Sequence, residues 1–130
     1  MIRLSRILFF ILLLSASCTN TAAVDLQNGY KIWFMSASEV YIGDKHGVLV
    51  VGPTVTGLSA KGDMIIGLVE KTRKDNNNSD IKPGYFIVNT KNGNVTTGLT
   101  MQSWNEELKR NNIKSSPELI SPTTNFKISE

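Results

Sequence analysis

Apolar and polar positions along this chain fall into three regimes. Residues 7–14, Ile-Leu-Phe-Phe-Ile-Leu-Leu-Leu, are apolar without a break. From Gly29 to Leu99, short β-branched and aromatic runs alternate with clusters of Gly, Asn, Asp and Pro, the pattern of strands joined by turns. Tyr30, Ile32 and Phe34 alternate with Lys31, Trp33 and Met35, which predicts a strand. Residues 38–42 and 48–51 flank Gly43-Asp44-Lys45-His46-Gly47, which predicts a hairpin, and 53–59 reads as a shorter extended piece. Residues 64–69 are apolar on both faces, the mark of a central strand. Residues 85–90 and 95–99 flank Asn92-Gly93, a pair that tolerates positive φ and so predicts a second hairpin. Beyond Leu99 the period lengthens. Thr100 is placed to cap a helix over 101–112, with Met101, Trp104 and Leu108 on one face and Glu106 in register with Arg110.

These elements predict one small α+β domain, a mainly antiparallel β-sheet with one C-terminal amphipathic helix packed on it. The polar stretch 74–82 reads as a surface loop, and Ser116-Pro117 and Ser121-Pro122 predict an extended terminus. The expected organisation is a signal peptide at 1–17, a lipidated N-terminus and tether at 18–28, the α+β domain at 29–114 and an extended tail at 115–130. Aromatics stand side by side at Trp33/Phe34 and Tyr85/Phe86. One of each pair is then expected in the core and the other under the helix or a partner. Residues 84–113, GYFIVNTKNGNVTTGLTMQSWNEELKRNNI, carry a Gly-Tyr-Phe strand, a Thr-Lys-x-Gly turn, a Gly-Leu pair and a Trp-bearing helix. This pattern resembles a module of small bacterial proteins of unknown function. The resemblance implies a shared fold and transfers no activity.

The apolar N-terminal run follows Arg3 and Arg6 and precedes the small residues Ser15, Ala16 and Ser17, the order of a secretory signal peptide. It is too short to cross a bilayer as a helix, which takes about 20 apolar residues. Cys18 is the only cysteine, so the chain can form no internal disulfide, and an exported free thiol would be reactive. Ser15-Ala16-Ser17-Cys18 resembles the bacterial lipobox, matching it at the last three positions, while Ser15 stands where leucine is usual. The resemblance implies that the Cys18 sulfur receives diacylglycerol and that cleavage leaves Cys18 as the first residue. Several acyl chains then supply the second hydrophobic signal that stable anchoring requires. Thr19 rather than Asp follows the cysteine, which implies the outer membrane in a Gram-negative host. A competing small-x-Ala site, Thr21-Ala22-Ala23, would discard Cys18 and give a periplasmic or secreted protein.

Export also changes the charge balance. The chain has 14 Lys+Arg against 11 Asp+Glu, and loss of Arg3 and Arg6 lowers the basic count to 12. A nearly neutral domain lacks the clustered basic footprint of a nucleic-acid binder. Lys71, Arg73 and Lys74 are flanked by Glu70 and Asp75 and read as a solvated strand end or loop. His46, the single histidine, falls in a predicted turn with neither a nucleophile nor co-ligands in sequence range. Residues 75–80 offer oxygen ligands but not the glycine and distal glutamate of a calcium loop. Glu106 and Glu107 read as the solvated side of the helix. The glycosylation patterns at Asn77 and Asn94 matter only in a eukaryotic host, against which the lipobox argues. No catalytic, metal-binding or cofactor-binding residue is assigned, and no cofactor is expected. The expectation is a non-enzymatic envelope module that binds another protein, an inhibitor or immunity protein being one form. A small enzyme with a carboxylate-based site and a structural envelope component are the alternatives.

Overall fold

The computed structural model describes residues 21–71 and 82–127. The signal segment, Cys18, Arg73, Lys74 and the calcium candidate 75–80 lie outside the described residues. Eight strands form one sheet among them: β1 (Ala22–Asp25), β2 (Lys31–Phe34), β3 (Val40–Gly43), β4 (Leu49–Val51), β5 (Thr54–Lys61), β6 (Met64–Lys71), β7 (Gly84–Asn89) and β8 (Val95–Leu99). One helix, α1 (Met101–Arg110), follows. The spatial order is β1-β2-β3-β5-β6-β7-β8, and β4 also pairs with β3. Every pairing is antiparallel except β3 with β5, which meet in parallel at Val40 and Thr54. The fold is α+β, as the alternating pattern predicts.

Period-two alternation gives the sheet two apolar faces. Ile32, Ile42, Val51, Val55, Leu58, Ile65, Val69, Phe86 and Val88 form one buried cluster. Its members come from β2 at one side of the sheet and β7 at the other, so the sheet coils around them. The opposite face of β6 and β7 presents Met64, Ile66 and Ile87 to Trp104 and Leu108 of α1. This two-sided burial is why residues 64–69 are apolar throughout. Gly67 permits the tight layering here: a Cβ would come within 2.7 Å of Phe86 Cζ and collide with the Gly57 carbonyl.

Four expectations change. Folding starts before Gly29, since β1 pairs with β2 from Ala22–Phe34 to Asp25–Lys31 and Leu26 is buried. Val24 and Leu26 supply a period-two signal there, diluted by small neighbours. The extended piece at 53–59 is a full strand that continues to Lys61. The helix is shorter than expected, ending at Arg110 with Asn111 as C-cap. Met101 is exposed, and Arg110 pairs with Glu107 while Glu106 accepts from Gln102. The C-terminal tail is extended but packed: Leu58 and Ile120 exchange backbone hydrogen bonds of 2.9 and 3.0 Å, and Phe126 enters the main core.

Candidate functional site

Coiling brings four connections to one end of the sheet. They are the 3-10 turn at Gln27–Gly29, the β3–β4 turn, the Gly62-Asp63 turn and the β7–β8 turn beginning at Thr90. Asn28 takes a left-handed conformation (φ 55°), which aims its side chain across the gap. Its Nδ2 donates to Thr90 Oγ1 at 2.7 Å and to Asp63 Oδ1 at 3.1 Å. Thr90 donates to the Asp63 carbonyl twice, from Oγ1 at 2.7 Å and from its backbone N–H at 2.8 Å. Gln27 Nε2 reaches the carbonyls of Met64 (3.0 Å) and Gly62 (3.2 Å). The turns are thus stitched together by side chains that satisfy backbone acceptors between strands.

Beside this stitch, Asp44 organises its own turn. One carboxylate oxygen accepts from the backbone N–H groups of His46 (2.8 Å) and Val48 (3.0 Å), the arrangement for which aspartate is favoured in turns. Tyr30 is buried nearby, and desolvation, then the Asp44 charge, raises its phenol above the ordinary value. Asn28, Lys45, Asp63, Thr90 and Lys91 line an open basin of about 460 Å³. A second hollow adjoins it, edged by Tyr30, Asp44, His46 and Asn92. The exposed groups are two ammoniums, one carboxylate and one imidazole on a shallow surface, with Asp44 already engaged by its turn. Such a surface can recognise mixed charge.

His46 lies in the exposed turn the sequence predicts and belongs to this end of the molecule. Lys71 ends β6 at the opposite end, and Glu106 is exposed on α1. The aromatic pairs split by face. Phe86 is core, while Tyr85 stacks on Trp104 with ring centroids 4.5 Å apart, so the helix covers it. Phe34 packs against the main core. Trp33 faces the other way and lies over Gly43, where a Cβ would sit 2.6 Å from its Nε1. Lys31 Nζ stands 5.9 Å from the Trp33 ring centroid. Asn28, Asp63 and Thr90 escape sequence reasoning because they are far apart in the chain. The one local signal is turn chemistry, Asn28-Gly29 and Gly62-Asp63.

Among the described residues, no group of three or more His, Cys, Asp and Glu side chains is placed to hold a metal ion. No helix among them is long and apolar enough to cross a membrane. No curated protein and no solved structure matches the chain. A family model does match, over residues 27–123, from the stitched turn through the strand-bonded part of the tail. The chain belongs to that family, described as protein of unknown function (DUF3997).

Proposed function

We propose that this protein is a bacterial envelope lipoprotein, held by an acylated Cys18, whose domain works by binding another protein rather than by catalysis. The observation that carries the binding reading is the convergence of four turns into one stitched, mixed-charge surface around Asn28, Asp63 and Thr90. Loops fixed by a rigid scaffold are where recognition surfaces are usually built. Interspersed Lys45, Lys91 and Asp63 suit a partner of complementary charge pattern, which sets specificity and association rate more than raw affinity. The anchor reading is supported by the order of Arg3, Arg6, the apolar run and Ser15-Ala16-Ser17-Cys18.

Metabolic labelling with a fatty-acid analogue tests the anchor. Wild type should incorporate label and Cys18→Ser should not; label retained by the variant defeats the proposal. Cross-linking in intact envelopes tests the surface. A partner captured by wild type should be lost with Lys45→Glu/Lys91→Glu and kept with Lys109→Glu on the helix. Equal capture by both variants would move the interface elsewhere, and a consistent lack of capture would count against the binding role.

A further inference from the structure

The pairing register draws a line across the sheet at the end opposite the stitched turns. Ala22 pairs with Phe34, Phe34 with Val40, Val40 with Thr54 and Thr54 with Lys71. The chain enters the described fold on this line. Next to it lies the β2–β3 connection, Met35-Ser36-Ala37-Ser38, which carries no charge and leaves Met35 43% exposed. Glu39 follows, within 3.4 Å of the Tyr41 hydroxyl that donates to it. Lys71 stands on the line itself, and exposed Glu70 and Lys82 flank the same end from β6 and from the residues just before β7. Both ends therefore carry charge, the far end through Asp44, Lys45, His46, Lys61, Asp63 and Lys91.

We propose that the end formed by Ala22 and the β2–β3 connection is seated on the headgroup layer of the bilayer, so that the stitched turns point away from the membrane. This rests on acylation of Cys18. Only three residues separate Cys18 from Ala22. From Cys18 to Thr21 the chain reaches at most about 11 Å. The acylated residue sits at the edge of the hydrocarbon, and the headgroup layer above it takes up about 5–7 Å. What remains is too short to hold the domain clear of the surface. The uncharged 35–38 connection fits such contact: Met35 is apolar, and the serines can hydrogen-bond to headgroups or water. The eight residues of β5 run from this line to the opposite turns, about 25 Å at the usual strand rise. The binding surface is thus held beyond the headgroups, where a soluble or membrane-bound partner can reach it.

The test uses the full chain in native membranes, with single cysteines placed by Ser36→Cys, Ala37→Cys, Asp25→Cys and, on the helix outside the binding surface, Lys109→Cys. Reaction with a bulky, membrane-impermeant maleimide is followed by mass shift in the Cys18 background and compared with the unanchored Cys18→Ser form. Anchoring should slow the reaction severalfold at positions 36 and 37 and leave 25 and 109 nearly unchanged. Unchanged rates at 36 and 37 in membrane-bound protein would overturn the orientation while leaving the anchor intact. Slowing at 25 as well would mean that the domain lies on the β1 edge, which also overturns it. A wild-type protein found unacylated in the soluble fraction would overturn the anchor and this inference together.

Discussion

Trp104 shows how one residue can join two layers. Its ring stacks on Tyr85, its body fills the second core, and its Nε1 donates to the Phe86 carbonyl at 3.1 Å. That carbonyl lies where the β7–β8 register shifts between Tyr85 and Ile87, leaving Phe86 without a register partner in β8. Trp104→Phe keeps much of the ring but removes the donor. Denaturant unfolding should show a loss of about 1–3 kcal/mol, the cost of an unsatisfied buried acceptor. Tyr30 gives a pH signature. Its phenol is raised in the folded state, so its contribution is fully present below the unfolded value near 10 and lost as pH rises through the higher folded value. Stability should therefore fall above about pH 10 in wild type. Tyr30→Phe should flatten that fall, as read from alkaline unfolding curves. The amphipathic spacing around Trp104 was legible in the sequence; its hydrogen bond was not, because a bulge in another element creates the acceptor.

At the level of elements, local chemistry predicted most of the boundaries. Thr100 caps α1 as its position suggests, accepting from the Ser103 N–H at 3.1 Å. Asn92-Gly93 turns the second hairpin, with Gly93 at φ 79°. The misses share a weak local signal. β1 pairs with the adjacent β2, but its small residues dilute the alternation, while the C-terminal tail has few apolar residues and is held by partners distant in sequence. The same holds for the stitch among Asn28, Asp63 and Thr90, where each residue alone reads as ordinary turn composition. Thr90→Val is close in shape but removes both the donor to the Asp63 carbonyl and the acceptor for Asn28. It should destabilise the domain by about 1–3 kcal/mol. Hydrogen exchange should quicken at the Gly62-Asp63 and 27–29 turns first, since those are the elements it joins.

For the whole molecule, the sequence predicted the class and the central place of β6, whereas the coil needed tertiary information. Alternation assigns residues to faces, but only the joint burial of Ile32 and Phe86 shows that one face closes on itself. The tail completes that closure. Leu119 packs on Gly57, Ile120 bonds to Leu58, and Phe126 is buried with the main core. Phe126→Ala should cost about 3 kcal/mol by opening that core. A chain ending at Lys114 should melt at a lower temperature than full length, measurable by circular dichroism.

The antiparallel pairing of β1 has a mechanical consequence. A tug between the chain's N-terminal side and a partner held at Lys45 or Lys91 runs along the axis of β1. Its ladder bonds to β2 are then loaded in shear, all sharing the force. A tug applied between the N-terminal side and Ser36, whose neighbour Phe34 pairs with Ala22, would peel the same bonds apart one rung at a time. The strand that looked like part of a slack leash is therefore oriented as a strong coupling, resistant along the direction in which the proposed anchor and partner would pull it.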